Sequence, residues 1–233
     1  MTTAILSALP EEQAGVLALL QSPQCTVHAG REFWHGTVHG KSVVLALSRI
    51  GKVAAATTAT ALIERFKVQR LVFTGVAGGL GAKVQVGDAV VGTQYMQHDF
   101  DASPLFARYE IPGYGRVRFD ADGDLIAIIS EAAPAMFQGA NGQKVIKMHT
   151  GLIASGDRFV SSATEALALR SALPDALCVE MEGAAVAQVC HDYGVPFVAV
   201  RTISARADDT AHLDFAQFVR EVAGPYAVSL VDA

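Results

Sequence analysis

Cysteine is scarce in this chain: the three residues, Cys25, Cys178 and Cys190, are scattered, and none forms a CxxC pair. An odd, scattered set argues against a disulfide framework and against a zinc site. The set fits a reducing compartment, so we expect a cytoplasmic protein. His98-Asp99 has no second ligand pair at a suitable spacing, and we therefore expect neither a metal nor another cofactor.

Charge is also low, since charged residues make up 18% of the 233 residues and hydrophobic residues 51%. No apolar run approaches the roughly 20 residues of a membrane-spanning helix, and the N-terminus lacks the basic start of a signal peptide. We expect a soluble protein without a membrane partner. The net charge of −5 disfavours nucleic acid, which needs a concentrated basic surface. It does not disfavour a neutral nucleoside.

Short apolar runs alternate with helix-like segments along the whole chain, without a linker or an internal repeat. The spacing predicts strands at 3–9, 33–38, 42–48, 70–76, 88–97, 145–154, 176–181 and 196–203. It predicts helices at 11–21, 52–66, 122–133, 162–173, 183–193 and 215–230, the last with a kink at Pro225. The His39-Gly40 pair predicts a tight hairpin turn. The alternation predicts one domain, 1–233, with a three-layer α/β/α architecture and a central mixed, largely parallel sheet.

Two pairs of glutamates lie at or just past the ends of predicted strands, where sheets of this kind bind ligands. Glu11 and Glu12 come after Pro10, and carboxylates favour the positive N-terminus of a helix. A helix N-terminus accounts for at least one of these glutamates. The alternative is that one of them acts as a general base. Glu180 and Glu182 share a face if they lie on one strand, and they repel each other unless something binds them. A ribose diol satisfies one carboxylate, whereas the simpler interpretation is a helix cap at Glu182.

Two further segments suit a flat ligand. The small residues from Thr74 to Leu80 let a backbone approach closely. Their spacing is not the dinucleotide-binding GxGxxG, and a plain glycine turn is an equal interpretation. Phe159 follows another strand and is suited to stacking on a base, although a core phenylalanine is the commoner explanation.

Taken in order, these segments resemble the signature stretches of the methylthioadenosine/S-adenosylhomocysteine nucleosidases, within the purine nucleoside phosphorylase-like superfamily. The resemblance runs from Ile5 to about Phe218 and is carried by Glu11-Glu12, Ile50 to Ala56, Thr74 to Leu80, Val86 to Asp88, Ser155 to Asp157, Val179 to Glu182, Val195 to Val198 and Arg201 to Ser204. The most specific stretch is Val179-Glu180-Met181-Glu182 with IGKVAAA upstream.

The resemblance implies a hydrolase that cleaves the N-glycosidic bond of adenine nucleosides bearing a 5′-thio substituent. On that pattern Glu12 activates the water that attacks C1′, and Glu182 holds the ribose hydroxyls. The implied binding residues also include Ala77, Gly78, Val160 and a stacked Phe159 at the purine, Leu9, Ile50, Met181 and Phe215 at the sugar and alkylthio group, and Val76, Val179, Glu180 and Ser204. The family is dimeric, and a partner's loop, here the loop near Pro112, closes the pocket.

The sequence departs from the family at one position. The family places an aspartate directly after the serine, where it protonates N7 of the purine, but here Ala205 follows Ser204. Asp208 lies further on and would need a shift of the loop. Because general acid catalysis is worth about 10²–10⁴-fold, we predict a protein that binds its nucleoside and turns it over slowly or not at all.

Three alternatives stay open at this point. A purine nucleoside phosphorylase needs cations for phosphate; Arg49 weakly favours it, and Glu11-Glu12 argue against it. A non-catalytic nucleoside-binding protein accounts for Ala205. A hydrolase acting on a modified futalosine or on 5′-deoxyadenosine shares the same motifs, and the preferred 5′ substituent is not predicted.

Overall fold

The structure is a computed structural model, and it describes residues 1–136, 147–206 and 215–232. The strands are β1 (Thr3–Ser7), β2 (Gln21–His28), β3 (Arg31–Val38), β4 (Lys41–Leu47), β5 (Arg70–Gly79), β6 (Ala89–Gln97), β7 (Phe119–Asp120), β8 (Met148–Ser155), β9 (Ala176–Glu180) and β10 (Phe197–Ala205). The helices are α1 (Pro10–Leu19), α2 (Lys52–Glu64), α3 (Gly123–Met136), α4 (Ala163–Ala172), α5 (Gly183–Tyr193), α6 (Phe215–Phe218) and α7 (Gly224–Asp232). A π-helical segment, Val219–Ala223, joins the last two helices.

These strands form one mixed sheet. β1 lies between β4 and β5 and runs parallel to both, while β2, β3 and β4 form an antiparallel meander. The other half curls on itself: β5 pairs with both β9 and β10, so that β5, β10, β6, β8 and β9 close a ring.

Helices cover both faces of the sheet. Along β1, Ala4 and Leu6 pack in the cluster that includes residues of α2 and α5, whereas Ile5 packs with residues of α1 and α7. This alternation is the period of two that a strand imposes on its side chains. The predicted three-layer α/β/α architecture with a mixed central sheet is therefore confirmed. Within the described ranges, no helix has the length and apolar character to cross a membrane.

The His39-Gly40 hairpin is confirmed, because both residues have positive φ, 48° and 73°, as a tight two-residue turn requires. Other boundaries differ from the prediction. The strand predicted at 70–76 runs on as β5 through Gly78 and Gly79, where it pairs with β9. At Gly79 an added Cβ would lie 3.1 Å from Ile203 Cγ2, so the glycine permits the close approach of β10 on the other side of β5.

Three further elements were predicted wrongly or not at all. Strand β2 was missed because its exposed residues, at an edge of the sheet, lack an apolar alternation. Strand β9 ends at Glu180, one residue before the predicted end. The C-terminal helix is interrupted at 219–223 by π-helix, upstream of the expected kink at Pro225. Residues 145 and 146, the first two of the strand predicted at 145–154, lie outside the described residues.

Candidate active site

One cavity collects residues at or just past the carboxyl ends of β1, β4, β5, β8, β9 and β10. It is open to solvent and has about 830 Å³ of empty space, part of which is solvent at the open mouth. Its lining residues are Ala8, Leu9, Glu12, Ile50, Gly75, Val76, Ala77, Gly78, Arg158, Phe159, Val160, Val179, Glu180, Met181, Glu182, Arg201, Ser204 and Ala205. Most are small or apolar, and the titratable groups lie among them.

Glu12 is buried in the first turn of α1, where backbone amides hold both of its carboxylate oxygens. Oε2 accepts hydrogen bonds from the N–H of Ala8 (2.9 Å) and Leu9 (3.0 Å), and Oε1 accepts one from Val76 (3.2 Å). Burial raises the pKa of Glu12, against the effect of the Leu9 hydrogen bond and the charge of Arg201. Glu12 thus has the helix-start role and also faces the cavity, as a base with increased proton affinity.

Glu180 is held by a buried arginine. Arg201 donates from Nε (3.2 Å) and Nη2 (2.7 Å) to Glu180 Oε2, and from Nη1 to the carbonyl of Phe73 (3.1 Å). Glu180 also accepts hydrogen bonds from the Gly183 N–H and the Ser155 hydroxyl. Because these donors occupy both oxygens, Glu180 serves to neutralise Arg201 and to fix the start of α5.

Glu182 is differently placed. It is the N-cap residue of α5, but its side chain makes no cap hydrogen bond. Instead Oε1 accepts from the N–H of Gly51, 3.0 Å away, at the start of α2. Burial and the negative charge of Glu180 raise the pKa of Glu182 to about 7, although the Gly51 hydrogen bond and Arg201 oppose the shift. Glu182 is therefore the carboxylate of the pair that still has capacity for a ligand.

The end of the cavity farther along β5 is apolar. In the β5–β10 pairing Ala205 lies opposite Gly78, after a bulge between Ile203 and Ala205. Ala205 is only 9% exposed, and Val160 is buried beside the same cavity. The Ser204 hydroxyl donates to the carbonyl of Ala77 at 3.4 Å. The side chains described around Ala205 therefore include no carboxylate, and those of the described lining are Glu12, Glu180 and Glu182.

Comparison with known proteins identifies the family. Residues 2–233 match the family model described as Phosphorylase superfamily. The 5′-methylthioadenosine/S-adenosylhomocysteine nucleosidase of Bacillus thuringiensis (strain Al Hakam) is 38% identical over 224 residues, which cover 96% of this chain and 94% of the relative. The chain belongs to the nucleosidase family of this superfamily.

Solved structures agree with that family. The nucleosidase from Neisseria meningitidis, in complex with methylthio-immucillin-A, is 36% identical with a TM-score of 0.91, over 99% of this chain and 97% of that one. The futalosine hydrolase of Helicobacter pylori strain 26695 is 35% identical with a TM-score of 0.90, over 100% and 97%. The predicted resemblance is confirmed by these matches.

The predicted site residues of this nucleosidase-family chain meet in one place. Those that line the cavity are Glu12, Leu9, Ile50, Val76, Ala77, Gly78, Phe159, Val160, Val179, Glu180, Met181, Glu182, Ser204 and Ala205. Only the backbone of Phe215 is described, as the first residue of α6. Asp208 lies outside the described residues. Arg49 is exposed, donates to the carbonyl of Gly30 and is absent from the described lining.

One premise was wrong. Glu180 and Glu182 were predicted to share one strand, but β9 ends at Glu180, and Glu182 caps the next helix. Arg201 relieves part of their mutual repulsion. Neither this pairing nor the lining residues Ala8, Gly75 and Arg158 were predicted from the sequence. A signal was present in the sequence: an arginine within the apolar strand 196–203 needs a buried acid.

A network of charged residues fixes the backbone segment that donates a hydrogen bond to Glu182. Gly51, whose N–H binds Glu182, has a φ of +95°, a conformation that favours glycine. The next amide, Lys52 N, donates to Asp157 Oδ1 at 2.7 Å, and Lys52 Nζ pairs with Asp99 at 2.6 Å. Asp99 in turn accepts from the Asp157 N–H at 2.8 Å. The start of α2 is thereby tied to the loop after β8.

Replacing Glu182 by glutamine is expected to stabilise the ligand-free protein at alkaline pH. The folded pKa of about 7 lies above the ordinary 4.5, so the unfolded chain ionises first as the pH rises. The wild-type free energy of unfolding therefore decreases as the pH rises from 4.5 to about 7, and it stays at the lower value at higher pH. We expect Glu182→Gln to gain about 2–3 kcal/mol at pH 8 and almost nothing at pH 4.5, measured by urea unfolding.

The exposed Glu11 provides a matched control for this measurement. Glu11→Gln removes the same charge one residue from Glu12 but outside the described cavity lining, and it should change neither value by more than about 0.5 kcal/mol. An equal gain for Glu182→Gln at both pH values would contradict the raised pKa.

Proposed function

We propose that the cavity binds a 5′-thioadenosine, such as the methylthioadenosine or S-adenosylhomocysteine for which the relatives are named. The observation that carries the proposal is that Glu12 and Glu182, distant in sequence, share one largely apolar cavity. In this assignment Glu182 accepts hydrogen bonds from the ribose hydroxyls. Val160, Phe159 and the backbone at Ala77 surround the adenine.

The proposed reaction is hydrolysis of the N-glycosidic bond. A water attacks C1′, and Glu12, whose pKa is raised by burial, takes its proton. As the bond breaks, the sugar gains positive charge, which the nearby carboxylates of Glu12 and Glu182 stabilise. The electron pair of the bond passes to the adenine, which is a poor leaving anion and must take a proton.

The site lacks the proton donor of the family pattern. Ala205 occupies the position at which that pattern has its aspartate, and its methyl group has no acidic proton. The Ser204 hydroxyl, whose oxygen lies next to the Ala77 carbonyl, is too weak an acid for this step. We therefore propose slow turnover, with binding retained.

Hydrolysis is preferred to phosphorolysis because the cations of the described lining are already paired with acids. These cations are Arg158 and Arg201. Arg201 is held by Glu180, and the largely exposed Arg158 pairs with Glu165. Neither is free to hold a phosphate beside Glu12.

Two measurements test this proposal. We expect methylthioadenosine to raise the melting temperature of the protein, and we expect the slow release of adenine, followed by chromatography, to be unchanged by added phosphate. Strict dependence on phosphate would assign a phosphorylase. No thermal shift with methylthioadenosine, S-adenosylhomocysteine or adenine would remove the nucleoside site, and a shift without any release would leave a nucleoside-binding protein.

A futalosine-type substrate is the second candidate, supported by the similarity to the Helicobacter pylori futalosine hydrolase. Both substrates contain a ribose, and their 5′ substituents differ. The side chains proposed to meet that substituent, Leu9, Ile50 and Met181, favour an apolar thioether. Competition between methylthioadenosine and a futalosine in the thermal-shift assay distinguishes them.

A cytoplasmic homodimer completes the proposal. The loop around Pro112 includes exposed apolar residues, with Leu105 84% exposed, and the mouth of the cavity has two more, Ile50 at 60% and Phe159 at 48%. Burial of such surfaces against a second copy is favourable. The three free cysteines fit a reducing cytoplasm. Sedimentation equilibrium checks the dimer, which a monomer at assay concentrations would contradict.

A further inference from the structure

The cavity has more negative than positive charge. Its described lining includes three carboxyl groups, Glu12, Glu180 and Glu182, and two cations, the buried Arg201 and the largely exposed Arg158, which pairs with Glu165. Arg201 is matched by Glu180 at 2.7 Å, so Glu12 and Glu182 have no cation of their own. Burial makes both of these carboxylates costly to ionise, and the negative charges of Glu180 and Glu12 add to the cost for Glu182. A positively charged ligand would relieve that cost.

Among the described residues, the opposite end of the cavity has no acidic side chain that could protonate a leaving base. The side chains described there, Ala205, Val160 and Ala77, are apolar and largely buried. Ala205 also ends at its Cβ, so it leaves room for a substituent where a larger side chain would stand. A base that is to leave from such a site must already be a good leaving group.

We infer that the site is suited to nucleosides whose base carries a fixed positive charge, such as a purine alkylated on N7. This inference rests on the proposed nucleoside site and names its substrate class. The apolar end at Ala205 accepts the alkyl group, and the carboxylates at the sugar end attract the cation. Such a base needs no general acid.

The reaction balances without a proton donor. Water oxygen forms the new bond to C1′ while the bond from C1′ to N9 breaks. The electron pair of that bond goes to the base, which changes from a cation to a neutral N7-alkylpurine. Glu12 takes one proton of the water, and the other remains on the new hydroxyl of the sugar.

The test compares 5′-methylthioadenosine with its N7-methyl cation on the wild-type protein. Release of the base is measured by chromatography, and the enzyme-free rate, which is higher for the cation, is subtracted. We expect kcat/KM for the cation to exceed that for the neutral nucleoside by at least about a hundredfold, the value of the missing acid. Glu12→Gln should abolish the acceleration.

Ala205→Asn is the matched steric control. Asparagine fills the space of an aspartate but supplies no acid, so it should reduce cleavage of the cation without improving cleavage of the neutral nucleoside. No acceleration of the cation by a wild-type protein that still binds methylthioadenosine would overturn the inference and leave the proposed function intact. If neither nucleoside binds, the proposed site itself is wrong.

Discussion

Replacing Ala205 by aspartate is expected to raise the release of adenine from methylthioadenosine by at least about a hundredfold. Ala205 lies opposite Gly78 at the apolar end of the cavity, whereas Glu12 is held by the backbone amides of Ala8, Leu9 and Val76. An aspartate there enters a largely buried site, and burial raises the pKa of a carboxyl group, so that it can donate a proton near neutral pH. Steady-state kcat/KM from chromatography of adenine gives the comparison.

Two variants sharpen this experiment. Ala205→Asn should give no gain, because it matches aspartate in shape but has no acidic proton. Asp208→Asn tests the next acid along the chain, and it should leave the wild-type rate unchanged. A large loss with Asp208→Asn would show that Asp208 is the acid and that the importance given to Ala205 is mistaken.

The same substitution should reverse the choice of substrate. An aspartate favours a neutral adenine, which needs its proton, and it occupies the space available to an N7 methyl group. Ala205→Asp is therefore expected to lower the ratio of kcat/KM for the N7-methyl cation to that for methylthioadenosine by at least about a hundredfold. One residue at the end of β10 would then determine whether the site prefers a cationic or a neutral base.

The elements predicted well from the sequence are those with strong local signals. The helix of α5 starts and ends as predicted, because Gly194, with a φ of 62°, ends it in the left-handed conformation that favours glycine. The turn at His39-Gly40 is equally local. Strand β2 has no such signal: its residues are mostly exposed and show no apolar alternation, and the strand forms by pairing with the edge of β3.

Most residues of the site could be predicted from the sequence, but the contacts between them could not all be predicted. The family pattern brought Glu12 and Glu182 together, and both line the cavity. The pairing of Glu180 with Arg201 joins two strands, β9 and β10, that have no pairing with each other among the described residues. Periodicity along one segment contains no information about such a long-range contact. The roles of Glu180 and Glu182 therefore separate only in three dimensions.

Loss of Arg201 is expected to cost about 3–5 kcal/mol of folding free energy, a large fraction of the 5–15 kcal/mol typical of a domain. The Arg201 guanidinium contacts Glu180, the Phe73 carbonyl and, at 4.0 Å from its centroid, the Phe73 ring. Arg201→Met keeps much of the side-chain volume but leaves the buried Glu180 carboxylate without its cation. Urea unfolding measures the loss.

The double variant Arg201→Met/Glu180→Gln separates charge from packing. If the unpaired carboxylate causes the loss, the added Glu180→Gln should restore a substantial part of it, and the double-mutant cycle should yield a coupling energy above about 1 kcal/mol. Arg201→Lys should be intermediate, because lysine keeps the charge but not the planar fork. A loss below about 1 kcal/mol for Arg201→Met would mean that the buried pair does not hold the cavity together, and Glu182 would then owe its position to Gly51 and the start of α2 alone.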